Sequence, residues 1–312
     1  MLLSMSTVTV IIPTHSRPDL LPSAVASAQG AGTDVEIIVV DDASTDQTAS
    51  VCSGLSGIRY IRLERNQGVA GARNVGLLES TGKYLTFLDD DDLRLPGSID
   101  LQVQALAAHP EAGFVCGAMI MADQNYQPTG EVSLPRHPGG DVFWELLELD
   151  FPVMPLSTMI RKECFLRVGL LNQHLHGIDD WDIFVRIAEH YPVLVMDSPV
   201  GLYRCPTPSS AQGSSDRAAQ LRGAARQLMQ LLKLPRAQAA PLGQRRAIRR
   251  RAHNRLADTL LWNAARQIPG GELGAALTNI LGALRINPWR AIRPGAYKNL
   301  AGRLFLNRSV IQ

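Results

Sequence analysis

Four consecutive aspartates, Asp89 to Asp92, stand at the end of the apolar run "KYLTFL". Side by side, like charges repel by about 1 kcal/mol at ~4 Å in water, and by several at an effective dielectric near 20. A hard divalent cation removes that cost, because it takes carboxylate oxygens and keeps phosphate and water in the rest of its shell. In an extended segment residues i and i+2 share a face, which puts Asp89 and Asp91 roughly 6–7 Å apart on one side. The plainer alternative is a solvated acidic turn, although such a turn does not require an apolar strand to deliver it. Two further apolar runs end in polar groups: Pro13 and Thr14, with Arg17 nearby, close "TVTVIIP", and Asp41 and Asp42 follow "VEIIVV". Taken alone, the second pair reads equally as a turn with helix capping. A separate acidic group, Asp179, Asp180 and Asp182, opens "DDWDIFVRIAEHY". Acids are favoured at a helix start for electrostatic reasons, but a carboxylate within reach of a substrate hydroxyl is also a general base.

The elements around these residues follow a β-α-β-α alternation. Strands are expected at 7–13, 35–42, 58–63, 83–88 and 113–121. Helices are expected between them: one with Pro18 in its first turn and Gly30 at its end, one opened by a Ser44–Gln47 capping box, one over "GVAGARNVGLLESTG" closed by Gly82, and one from Pro96. This predicts an α/β, Rossmann-like, mainly parallel doubly wound sheet with helices on both faces. Ligands of such sheets collect beyond the carboxyl ends of the strands, where Thr14, Asp42 and Asp89 to Asp92 all fall. Past Asp123 the pattern loosens into two helical stretches, near 140–150 and 179–191, and two short strands, "VLVMD" and "VGLYR". "CPTPSSAQGSSD" reads as a linker.

"VIIPTHSR", "VVDDASTD", "NQGVAGARNVGL", "GKYLTFLDDDDLRLP", "TMIRKECFLRVGLLN" and "DDWDIFVRIA" occur in an order that resembles the inverting nucleotide-sugar glycosyltransferases of family 2, over roughly residues 6 to 205. The resemblance implies a GT-A fold, a metal-dependent transfer of sugar from a nucleotide-diphosphate donor to an acceptor hydroxyl, and a place in cell-surface polysaccharide or glycolipid synthesis. It implies that Asp42, helped by Pro13, Thr14 and Arg17, contacts the nucleotide, with Arg73 near it. The "DxD" element becomes Asp89-Asp90-Asp91, in which Asp91, with Asp89, holds Mn²⁺ or Mg²⁺ and Asp90 faces the nucleotide; Asp92 falls outside. Asp180 becomes the base, and Asp179 replaces the usual Glu. Trp181 is core or lines the acceptor pocket, and Arg204 is a candidate for the diphosphate. Many relatives place a His after "LYR"; here "CPTPSS" follows, which leaves metal ligation from that loop in doubt. Independently of the resemblance, the small residues of "GVAGARN" let either a ligand or the sheet approach a helix N-terminus closely. His174 and His176 suit an acceptor loop or the surface better than a metal pair.

The net charge of +2 conceals a division: 27 acidic against 13 basic residues through 216, and 2 against 18 from 217 onwards. Such a split suggests a distinct basic helical extension over 209–312, and the resemblance then implies that the GT-A domain takes 1–208. Within that domain, residues 1–122 are expected to bind the donor and residues 123–208 the acceptor. "GQRRAIRRRAHNRLADTLLW" fits a solvated face packed on the acidic half, or a surface for anionic lipid. Nucleic-acid binding ranks last, since the arginines come without a recognisable motif. Trp289, Tyr297 and Phe305 among Arg290, Arg293, Lys298 and Arg303 lean to a membrane, which a lipid-linked acceptor would explain. With 46% hydrophobic residues, a mean hydropathy of −0.01 and no long apolar run, the expectation is a cytoplasmic protein, peripheral on the membrane face, with four reduced structural cysteines. A nucleotidyltransferase is the enzymatic rival, but "PTHSRPD" lacks the glycine of a phosphate loop. A non-catalytic nucleotide-sugar-binding or membrane-scaffold protein would not need both the Asp89/Asp91 pair and Asp180. Nucleotide, sugar, acceptor and oligomeric state stay open.

Overall fold

The computed structural model describes residues 7–205, 217–268 and 271–292. β1 (Val8–Thr14) is buried along its whole length, because it runs parallel between two other strands with helices above and below. Its neighbours are β2 (Val35–Asp41) and β4 (Tyr84–Phe87), and β3 (Arg59–Arg62) extends the parallel set beyond β2. α1 (Leu21–Gln29), α2 (Thr48–Gly54), α3 (Gly68–Glu79) and α4 (Ser98–Ala108) make the crossovers. α3 lies close on β1: a Cβ on Gly76 would stand 2.4 Å from Ile11 Cγ2.

Beyond β4 the sheet becomes mixed. β8 (Thr158–Arg161) pairs antiparallel with both β4 and β6 (Phe114–Ala122). β9 (Val193–Arg204) is parallel to β6, while β5 (Leu93–Arg94) and β7 (Pro128–Ser133) add antiparallel edges. The order is β3-β2-β1-β4-β8-β6-β9-β5, with β7 on β6. The α/β class stands, and its parallel, doubly wound character belongs to β1 to β4. Three short helices complete this region: α5 (Phe143–Leu147), α6 (Cys164–Val168) and α7 (Asp179–Ala188).

Several local expectations change. Pro22, not Pro18, occupies the first turn of α1. Ser44 does not open a capping box: its hydroxyl accepts the Ser16 amide at 2.8 Å, and Asp46 Oδ1 takes the Thr48 amide at 3.0 Å instead. Gly82 lies past α3 and serves a close approach, since a Cβ there would stand 2.5 Å from the Thr9 nitrogen. "VLVMD" and "VGLYR" are one strand, β9. Most of the expected linker, 206–216, lies outside the described residues.

The chain divides into two compact units: Met1–Leu146 with Phe151–Ser210, and Leu147–Asp150 with Ala211–Gln312. The second holds helices Arg217–Leu231, Pro235–Ala239, Leu242–Gln267, Leu273–Ile286 and Pro288–Ile292, and all but Pro235–Ala239 contribute to a small core of Ala218, Ala257, Leu260, Leu261, Ala283 and Ala291. Among the described residues no helix is long and apolar enough to cross a membrane. All four cysteines are free, three of them buried.

Candidate active site

The acidic residues and their arginines gather at the carboxyl ends of β1, β2 and β4. Strand register sets Thr14 opposite Asp41, and the Asp42 amide donates to the Thr14 carbonyl at 2.9 Å. Pro13 is buried in β1 opposite Val40. Asp41 is internal structure, accepting from the Ser44 amide at 2.8 Å and the Tyr60 hydroxyl at 2.6 Å. Asp42 is buried as well, and its two oxygens receive the amides of Gln67 at 2.6 Å and Gly68 at 2.8 Å. Its carboxylate therefore anchors the N-terminus of α3, where the positive end of the helix favours an anion.

Asp89 to Asp92 do not continue the strand. The Asp92 amide donates to the Asp89 carbonyl at 3.1 Å, closing a turn, so the extended i, i+2 spacing expected from the sequence is replaced by a tighter one. Exposure still alternates: the Asp89 and Asp91 side chains are 30% and 23% exposed, while Asp90 and Asp92 are buried. Asp90 accepts from Thr14 Oγ1 at 2.7 Å and from Arg17 Nη1 at 2.9 Å; the same Nη1 reaches Asp91 Oδ2 at 2.8 Å. Burial pushes the Asp90 carboxyl up to about 6 against the pull of Arg17 and Thr14. It also raises Asp91, with Asp89 adding repulsion, and raises Asp92 well above the carboxylate range. Asp92 is held from outside the turn by the Arg204 amide at 2.9 Å.

Arg73 joins this cluster to the second acidic group. Buried on α3, its Nη2 donates to Asp89 Oδ1 at 2.6 Å and its Nη1 to Asp179 Oδ2 at 3.1 Å. Its neighbour Asn74 exchanges two 2.9 Å hydrogen bonds with the backbone of Leu171, fixing the segment that leads to α7. The small-residue helix thus brings together chain segments about a hundred positions apart. Asp179 is buried against Arg73, whereas Asp180 is partly exposed. Burial and the like charge of Asp179 push the Asp180 carboxyl up to about 6, against the pull of Arg73. Asp182 is committed elsewhere, to Arg186 Nε at 2.8 Å.

The remaining candidates are placed less centrally. Trp181 is tied by its indole N–H to the Leu146 carbonyl at 2.7 Å. The Arg204 guanidinium donates to the Gln124 carbonyl at 2.9 Å and lies over the Tyr126 ring. His174 and His176 are exposed. Sequence reasoning missed Tyr126. It sits in the Asp123–Gln127 turn at a φ of 60°, rare for a bulky residue. Its buried hydroxyl has no hydrogen-bond partner, and burial raises its pKa, with Arg204 opposing the rise and Asp91, Asp92 and Asp90 adding to it. The one sequence signal was Asp123 before Asn125, an Asx-type turn.

Asp89 and Asp91 fit a divalent cation by donor type. Their arginine pairs use Asp89 Oδ1 and Asp91 Oδ2, which leaves the second oxygen of each outside those pairs. Among the described residues no group of three or more His, Cys, Asp or Glu is arranged to hold a metal. Two carboxylates would thus share the ion with phosphate oxygens and water.

Residues 9–162 match the family model described as Glycosyl transferase family 2. An uncharacterized glycosyltransferase of Haemophilus influenzae is 29% identical over 183 residues, 58% of this chain and 61% of that one. A GalNAc(5)-diNAcBac-PP-undecaprenol beta-1,3-glucosyltransferase of Campylobacter jejuni is 42% identical over 107 residues, 32% of this chain and 34% of that one. The Escherichia coli UDP-Glc:alpha-D-GlcNAc-diphosphoundecaprenol beta-1,3-glucosyltransferase WfaP is 31% identical over 134 residues, 42% of this chain and 53% of that one. The chain therefore spans less than two thirds of each of these relatives. In fold it is similar to the crystal structure of S. aureus TarS 1-349, with a TM-score of 0.63, 16% identity, and coverage of 91% of this chain and 82% of that one. It is likewise similar to the mannosyltransferase PcManGT of Pyrobaculum calidifontis, with a TM-score of 0.56, 18% identity, and coverage of 97% and 81%. The sheet, the acidic turn after β4 and the match over 9–162 agree: through these residues the chain belongs to Glycosyl transferase family 2 and has the GT-A fold.

Proposed function

We propose that the first unit is an inverting glycosyltransferase that moves a sugar from a nucleotide-diphosphate donor to the hydroxyl of a lipid-linked acceptor. The observation that carries this reading is the pair of acidic groups, Asp89 to Asp91 and Asp179 to Asp180, held to one another by the buried Arg73. Thr14, Arg17, Asp42 and Asp90 form the donor side, and Asp89 with Asp91 would hold Mn²⁺ or Mg²⁺. When bound, that ion neutralises charge on the departing diphosphate. Asp180, with its carboxyl at about 6, is largely ionised at neutral pH and accepts the acceptor hydroxyl's proton. The hydroxyl oxygen then attacks the anomeric carbon as the bond to the diphosphate breaks, which releases the nucleoside diphosphate and inverts the centre. Asp179 is spent on Arg73 and keeps α7 in register; Arg204 and Trp181 shape the surround.

The names of the Campylobacter and Escherichia relatives support a glucosyl donor and an undecaprenol-diphosphate-linked acceptor. The basic second unit supports a peripheral place on an anionic membrane face, on the cytoplasmic side. Trp289 is 74% exposed, in keeping with that, but Arg290 is not a free cation, since it pairs with Asp258 at 2.8 Å. Arg293, Tyr297, Lys298, Arg303 and Phe305 lie outside the described residues. The test is transfer of radiolabelled glucose from UDP-glucose to an undecaprenol-diphosphate-linked sugar, with and without Mn²⁺ or Mg²⁺. Product with an inverted anomeric centre supports the reading, and a nucleotidyl product contradicts it.

A further inference from the structure

The second unit has more arginines than its acids can use. On helix Leu242–Gln267, Arg251 pairs with Glu148, and Arg255 pairs with Glu148 and with Asp150 at 2.5 Å. Asp258 is taken by Arg290. Among the described residues no acid pairs with Arg246, Arg249 or Arg250. These three line an open cavity of about 470 Å³ together with His253, and Asn287 and Pro288 close its far side. Their spacing explains the convergence: positions 246, 249, 250 and 253 are one face of a helix. His253 Nε2 is buried and has no hydrogen-bond partner.

A second cavity of about 330 Å³ adjoins the first and shares Arg246 and Arg249 with it. Its apolar wall comes from Met229, Leu232 and Leu242, and Lys233, Gln238 and Arg245 complete the lining. Met229 and Leu242 are 40% and 63% exposed, so this apolar surface faces water when empty. A cationic cup and an apolar groove with a common arginine wall match an amphiphile whose anionic head joins directly to a hydrocarbon chain. Guanidinium forks suit phosphate oxygens by geometry as well as charge. A free phosphate or a nucleic-acid backbone would fill the cup but leave the groove uncovered.

We infer that Arg246, Arg249, Arg250 and His253 bind the phosphate of a lipid whose chain lies along Met229, Leu232 and Leu242. This deepens the peripheral-membrane reading of the second unit by giving it a discrete lipid-phosphate site, separate from the transfer chemistry of the first. The test is calorimetric titration of the full chain, without nucleotide sugar, using soluble dioctanoyl phosphatidic acid, inorganic phosphate and a short duplex DNA. The lipid should bind about tenfold or more tighter than phosphate or DNA. The exposed-residue variant Arg246→Gln/Arg249→Gln should weaken lipid binding about tenfold or more, and Leu242→Ser should weaken the lipid but not phosphate. A control that removes equal charge outside both cavities, Arg226→Gln/Arg285→Gln, should leave it unchanged. Equal loss in both double variants would overturn the site while leaving diffuse membrane adsorption standing. Equal binding of lipid and phosphate, or preference for DNA, would overturn the lipid assignment itself.

Discussion

Asp180 and Arg73 carry the sharpest consequences at the residue scale. The Asp180 carboxyl is raised to about 6 by burial and by Asp179, and a base must be ionised to act. The kcat/KM of transfer, which reports the base of the free enzyme, should therefore fall about tenfold per pH unit below 6 and level off above it, as read from a pH–rate profile. Arg73 opposes that rise, so Arg73→Gln should move the inflection to higher pH. The same substitution strands Asp89 and Asp179 against each other in a buried setting, and urea denaturation should show a loss of about 3 kcal/mol or more. Tyr126 behaves in the opposite way. Its hydroxyl is buried without a partner, so Tyr126→Phe removes an unsatisfied group. It should leave stability unchanged or raise it by about 1 kcal/mol in the same measurement. The candidate carboxylates were legible in the sequence because each stands at the end of an element. Arg73 bridging Asp89 and Asp179 was not, since no local periodicity links positions 73 and 179. The Thr14–Asp90 and Arg17–Asp91 bonds were hidden for the same reason.

At the scale of the element, the turn after β4 stores a cost. Asp90, Asp91 and Asp92 all have raised carboxyls because burial disfavours their charged forms. A folded-state value above the unfolded one gives stability that is fully present below the unfolded value and is lost as pH rises through the folded value. For Asp90 that loss spans roughly pH 4 to 6, and Asp92, also raised by burial, adds a loss of the same sign. Asp92→Asn, which cannot ionise, should thus stabilise the protein in chelator at pH 7, with little effect at about pH 4. Thermal unfolding of both proteins across that range checks it. The parallel strands and their crossover helices were readable because apolar β-branched runs alternate with small-residue helices. β8 escaped notice because it is four residues long and follows Pro155 with no turn signal. β9 looked like two strands because Asp197 and Pro199 interrupt its apolar run.

For the whole molecule, the charge division visible in the sequence coincides with a change from an α/β unit to a helical one. The sequence could not show how the basic helices spend their charge: Arg251, Arg255 and Arg290 are paired, while among the described residues no acid pairs with Arg246, Arg249 or Arg250. Donor and cation should stabilise the chain together, because on the proposed reading two carboxylates would share the ion with the diphosphate oxygens and water. Uridine diphosphate with Mn²⁺, at about a hundredfold over its Kd, should add about 2.7 kcal/mol, and chelator should remove most of it. The proposed mechanism turns on Asp180 taking the acceptor's proton while the donor side binds independently of it. Asp180→Asn, assayed in parallel for sugar transfer and for nucleotide-sugar binding, separates those two roles. Transfer should fall about 10³-fold with donor affinity unchanged; transfer at the wild-type rate would contradict the assignment of Asp180 as the base.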